Sequence, residues 1–168
     1  MESPTAPAAA ADPVRGKLIV VIDDDPLIID AMRGLLRGWG CRVIAAESES
    51  ELMASVAGDD RQPDLIIADY QLGNGHTGIQ TIHRLRSEFR APIPAFLITG
   101  DIAPERLNEA SANGLHLLHK PVGPMALRAM LNQVLRLRVL PATQNVGGNV
   151  HAAGKDQAQR AEHDLTRR

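Results

Sequence analysis

The chain has 168 residues, 44% of them hydrophobic and 2% aromatic, enough for one domain whose core is packed mainly with Leu, Ile, Val and Ala. A net charge of -2 gives no overall electrostatic footprint for nucleic acid, and so few aromatics offer no platform for stacked bases. No apolar run approaches the ~20 residues that cross a bilayer. The opening MESPTAPAAAADP lacks a basic start and a leucine-rich stretch, so no secretion signal is read there. The single Cys41 cannot form an internal disulfide, and its apolar neighbourhood suggests a buried, inert thiol. A cytoplasmic protein with no nucleic-acid or membrane partner is expected.

Residues 1–16 form a Pro/Ala segment read as a flexible leader, and residues 141–168 a polar tail expected to be disordered apart from a short helix near 157–165. Between them runs a regular alternation. Leu18–Ile22 is a continuous apolar run suited to a strand buried on both faces, and it ends in Asp23, Asp24 and Asp25. Pro26 then opens a helix, with Leu27, Ile28, Ala31, Met32, Leu35 and Leu36 at helical spacing and Gly38 and Gly40 as stops.

Cys41–Ala46 is the second strand, followed by a helix from about Ser48 to Ala57 in which Ser48 and Glu51 match a capping box. The third unit is Asp64–Asp69, a Gly-rich loop, and a helix from Thr77 to Arg90. The fourth is Ile93–Ile98, the turn Thr99-Gly100-Asp101, and a helix from about Pro104. The fifth is Leu115–His119, then Lys120-Pro121 and an amphipathic helix from about Pro124 to Val139. Five strand-helix units joined by short loops predict an α/β fold, a doubly wound five-stranded parallel sheet with five helices. Ligands in such sheets bind beyond the carboxyl ends of the strands. Asp23, Asp24, Asp69, Thr99 and Lys120 all fall there.

The stretches VIDDDPLI, IIADYQL, FLITGD and LLHKPV carry a family resemblance. With an acidic pair, a lone Asp, a Thr and a Lys-Pro in this order and spacing, residues 17–140 resemble the receiver domain of two-component response regulators, a flavodoxin-like, CheY-like fold. ITGD and LLHKPV are also similar to the receivers of hybrid sensor histidine kinases. The resemblance implies that Asp69 accepts a phosphoryl group, with Thr99 and Lys120 as its partners. It implies Mg²⁺, or Mn²⁺ in its place, held by Asp23, Asp24, Asp69 and the backbone carbonyl of Gln71. These residue types suit the chemistry. Carboxylates are hard oxygen ligands, and phosphoryl transfer needs charge neutralisation and positioning.

The resemblance further implies a sensor histidine kinase or a histidine phosphotransfer protein as partner, with the phosphohistidine on that partner. His76, His83, His116 and His119 share no metal-ligand spacing and read as surface or packing residues. Gln71 and Asp101, each two residues past a site residue, would govern water access, with Gly100 between Thr99 and Asp101. Catalysis would be confined to Mg²⁺-dependent self-phosphorylation from phosphodonors and slow self-dephosphorylation.

Two departures stand out. Gly73 sits where many receivers have proline, in a loop one residue longer, and Leu117 sits where many have the aromatic of a conformational switch. The last helix carries more apolar surface than one stripe requires, so a homodimer through the fourth and fifth helices is expected, while Arg128, Arg136 and Arg138 read as a solvated face. Fewer than 30 residues follow Val139, too few for an output domain, which suggests a single-domain regulator or phosphorelay intermediate. The alternative is a pseudo-receiver that binds or dimerises without being phosphorylated.

Overall fold

Runs of branched aliphatic residues, stiff at χ1, suit pleated strands covered on both faces. In the computed structural model, which describes residues 11–138, β1 (Leu18–Ile22), β3 (Leu65–Asp69) and β4 (Ala95–Thr99) are buried at every position. The two edges, β2 (Arg42–Ala46) and β5 (His116–His119), are only partly covered. All pair in parallel in the order β2-β1-β3-β4-β5. Asp69 pairs with Ile98 and Thr99 with His119, so the strands run out at one common edge.

Alternate strand residues feed two cores. On one side Val20, Ile22, Ile66, Ala68 and Leu97 meet α2 (Glu49–Ala57), α3 (Gly78–Phe89) and α4 (Pro104–Ala112). On the other, Ile19, Val21, Leu65, Ile67 and Phe96 meet α1 (Pro26–Gly38) and α5 (Pro124–Leu137). This is the expected five-stranded, doubly wound α/β sandwich.

The phase of α1 differs from the expected stripe. Ile29 and Leu36 are its buried residues, while Leu27 is 76% and Ile28 36% exposed. The cap explains the rotation. The Asp25 carboxylate accepts from the Leu27 amide at 2.9 Å, which fixes where the first turn begins and brings Ile29 round to the sheet. Periodicity alone could not choose among adjacent apolar residues.

The capping box expected at α2 is half present. Ser48 accepts from the Glu51 amide at 3.3 Å, but the Glu51 carboxylate reaches past it to the amide of Glu47 at 3.0 Å. A reciprocal box opens α3 instead, between Thr77 and Gln80.

The segment before β1, expected to bury little, makes a turn in which Val14 is fully buried. Gly16 donates to Gly40 O at 2.8 Å, and Arg128 bridges Asp12 at 2.5 Å while lying 4.9 Å from the Trp39 ring centre. Arg138 donates to Asp64 O at 3.1 Å, so two of the three arginines read as a solvated face tie elements together. Cys41 is buried as expected, and burial pushes its thiol up to about 11. Residues 1–10 and the expected polar tail with its short helix lie outside the described residues. Among those described, no helix is long and apolar enough to cross a membrane.

Candidate functional site

A strand that ends on a polar residue presents that side chain at the rim of the sheet, half in the core and half in the loops. Asp23 follows β1 directly and is 3% exposed, and Asp69 closes β3 at 7%. Asp24, one residue on, is exposed. One carboxylate oxygen from each of the three lies within 4.8 Å of the others, a spacing one hard cation can span.

The neighbouring Asp25 has a different task. Besides capping α1, it donates its amide to Asp23 Oδ1 at 2.9 Å, which orients the buried carboxylate.

Lys120 comes from beyond β5, where its amide donates to Thr99 O at 2.8 Å and a cis Lys120-Pro121 bond follows. Its ammonium lies 3.1 Å from Asp69 and 3.5 Å from Asp23. One cation thus meets two carboxylates of a cluster of three. Burial pushes the Asp69 carboxyl above its ordinary range, opposed by the Lys120 hydrogen bond and reinforced by the Asp23 and Asp24 charges. Burial pulls the Lys120 ammonium down, but the hydrogen bond to Asp69 and the Asp23 charge more than offset it and leave it raised. The cluster is short of positive charge, the condition in which a divalent cation is welcome.

Thr99 closes β4, is 4% exposed, and accepts from the Asp101 amide at 3.1 Å, which leaves its hydroxyl proton free to donate. Asp69, Thr99 and Lys120 line one pocket of about 310 Å³ together with Gln71, Gly100 and Asp101. The residues read from the sequence therefore meet at one place. Leu117 is the exception: it pairs with Leu97 and packs, partly buried, against the core on the α2 to α4 side.

Three residues that matter here were not singled out by sequence reasoning. Gly78 is the first. A Cβ on it would lie 2.2 Å from the carbonyl oxygen of Asp69, so only glycine lets α3 start against that strand end. The others are Tyr70 and Arg106, which line the same pocket. The Tyr70 hydroxyl donates to Glu109 at 2.8 Å, and Arg106 both donates to that hydroxyl and lies 4.2 Å from the ring centre. Gly78 follows the Gly-rich loop in sequence, but 36 residues separate Tyr70 from Arg106, and nothing local announces their contact.

The loop after β3 is tight, with Gly73, Asn74 and Gly75 at φ of 73, 50 and 76°. A Cβ at Gly73 would approach Asp24 Oδ2 at 3.3 Å. The histidines do not converge: His83 bonds Asn113 at 2.7 Å and His116 meets Phe96 edge-on.

Such a rim of carboxylates, lysine and threonine on this sheet defines a class. The family described as the response regulator receiver domain matches residues 19–132, and the chain belongs to it. The chain is 31% identical over 118 residues to the phyllosphere-induced regulator PhyR of Methylorubrum extorquens, covering 70% of this chain and 43% of that protein. It is 31% identical over 123 residues to the phosphate regulon transcriptional regulatory protein PhoB of Pseudomonas aeruginosa, covering 72% and 52%. It thus spans about half the length of these curated relatives. Among solved structures, the chemotaxis protein CheY4 of Vibrio cholerae superposes with a TM-score of 0.63 at 25% identity, covering 71% of this chain and 98% of that one. The receiver domain of Erythrobacter litoralis PhyR gives 0.62 at 27%, covering 76% and 95%.

Proposed function

We propose that this receiver takes a phosphoryl group from a sensor histidine kinase or a histidine phosphotransfer protein onto Asp69, and acts in the cytoplasm through protein contacts as a single-domain regulator or phosphorelay intermediate. The observation that carries the reading is the buried Asp69 carboxylate, 3.1 Å from Lys120 and in one pocket with the Thr99 hydroxyl.

The donor set fits a divalent cation. Asp23, Asp24, Asp69 and the backbone carbonyl of Gln71 would hold Mg²⁺ or Mn²⁺, all hard oxygens, two of them on buried carboxylates that, among the described residues, Lys120 alone offsets. When bound, the ion screens the negative charge of the phosphoryl oxygens from the attacking carboxylate.

In the transfer an Asp69 oxygen forms the new O–P bond while the bond from phosphorus to the donor's imidazole nitrogen breaks, its electron pair returning to the ring. Lys120 presents a compact positive charge and Thr99 an O–H to the phosphoryl oxygens. Hydrolysis is a separate step: the oxygen of a water attacks phosphorus, the carboxylate of Asp69 leaves with the electrons of the O–P bond, and the water's protons stay on the released phosphate or pass to solvent. Gln71 and Asp101 flank the pocket, where they set how water approaches, and Gly100 adds no side chain.

Docking surface is at hand. Leu27 and Ile28 in the first turn of α1, Ile102 after β4 and Met125 in the first turn of α5 are exposed apolar residues beyond the strand ends that form the site. A homodimer would draw on Leu107 of α4 and Leu137 of α5, both exposed. Intact mass after incubation with acetyl phosphate and Mg²⁺ tests the reading. One phosphoryl adduct, lost in Asp69→Asn and with a chelator, is expected. No adduct from any donor together with no Mg²⁺ binding would instead make the protein a pseudo-receiver, a binding or dimerisation module.

A further inference from the structure

Tyr70 is the only tyrosine of the chain, 6% exposed, and its ring lies under the guanidinium of Arg106 in the first turn of α4. Arg106 is also 3.7 Å from Asp101 and 3.7 Å from Glu109. Both carboxylates are well exposed, so these ion pairs are long, hydrated and weak. A fixed structural arginine would be held by short bidentate bonds to buried acids. This one rests on the Tyr70 ring, donates to the Tyr70 hydroxyl and has two loose carboxylate partners, at the wall of the pocket that contains Asp69, Thr99 and Lys120.

We propose that Arg106 is a second anion-binding group of the Asp69 pocket, held in reserve on Tyr70 and Asp101 until a phosphoryl group is present. This rests on the reading of Asp69 as phosphoacceptor. A phosphoryl group adds nearly two negative charges and three acceptor oxygens, and a planar guanidinium matches such oxygens two at a time. The same charge repels Asp101. Both effects draw Arg106 from its present partners toward the phosphoryl group, and Lys120, at 3.1 Å from Asp69 and 3.5 Å from Asp23, already serves two carboxylates.

The movement would have an audience. Arg106 ties the start of α4 to the residue after β3, Tyr70, so its departure frees the loop before α4 and the first turn of the helix, where Ile102 is 59% and Leu107 49% exposed. Leu117 supplies no aromatic on β5, and the aromatic that contacts α4 is Tyr70, immediately after β3.

The test is the affinity for beryllofluoride, which occupies the place of a phosphoryl group on a carboxylate, measured by titration calorimetry with Mg²⁺ in excess. Arg106→Ala is expected to weaken binding by roughly tenfold, the loss of one charge-assisted contact, and Arg106→Lys to fall between it and the parent. Asp101→Asn should tighten binding, and by more in the presence of Arg106 than in the Arg106→Ala background. That comparison of differences separates a released guanidinium from the mere removal of a negative charge, and it survives even if Arg106→Ala loosens α4. If Arg106→Ala binds as tightly as the parent while Asp69→Ala does not bind, the inference about Arg106 is wrong and the phosphoacceptor reading stands. If the parent itself does not bind, both fall.

Discussion

As the proposed phosphoacceptor, Asp69 would be under two opposed demands: buried enough to shelter an acyl phosphate, and ionised enough to attack phosphorus. Its raised carboxyl pKa records the first demand, and Lys120 meets the second. An acid whose folded pKa is raised favours the fold while protonated and loses that contribution as pH rises through the folded value. In chelator, the ionised carboxylate therefore destabilises the fold at neutral pH. Asp69→Asn is expected to melt higher than the parent there, with the difference shrinking to nothing as pH falls below the ordinary carboxylate range. Thermal melts across pH check this, and a difference independent of pH would contradict it. Asp24 offers a cleaner probe of the cation, because it is exposed and no hydrogen bond of the described residues depends on its carboxylate. Asp24→Asn is expected to lower Mg²⁺ affinity at least roughly tenfold by calorimetry while leaving the melting temperature in chelator little changed.

At the scale of elements, the join between β3 and α3 is the most exacting part of the site. Gly78 lets the helix begin against the Asp69 carbonyl at a distance no Cβ tolerates. Gly78→Ala is expected to destabilise by about 1–3 kcal/mol and to weaken Mg²⁺ binding, as α3 and the Asp69 main chain move apart. Denaturant melts and calorimetry read the two effects separately. What the sequence made legible follows from the same physics. Strand ends such as Ile22 before Asp23 were plain, since a two-sided buried strand is a continuous aliphatic run and its stop is a polar residue. The rotation of α1 was not, because Leu27, Ile28 and Ile29 are adjacent and the choice of Ile29 depends on the Asp25 cap. The start of α3 at Thr77 was legible, and the reciprocal bonds between Thr77 and Gln80 complete it as a capping box. Arg106 on Tyr70 and Arg128 on Asp12 join residues far apart in sequence, and only the fold brings such pairs together.

For the whole molecule, the parallel sheet gathers charge at one edge and leaves apolar residues of α1, α4 and α5 around it, so a cation bound at that edge would be coupled to folding. Mg²⁺ that binds the native cluster and not the unfolded chain stabilises by about 2.7 kcal/mol at a hundred times its dissociation constant. The melting temperature is expected to rise with Mg²⁺ concentration in the parent, and in Asp24→Asn to rise only at roughly tenfold or more higher concentrations. The central claim, that Asp69 and no other carboxylate of the cluster accepts the phosphoryl group, is tested most directly by trapping. After incubation with acetyl phosphate and Mg²⁺, borohydride reduction converts an aspartyl phosphate into homoserine, and peptide mass spectrometry locates it. Homoserine at position 69 alone, absent in chelator, is the predicted result. Homoserine at position 23 or 24, or a phosphoryl adduct with no homoserine at 69, would contradict it.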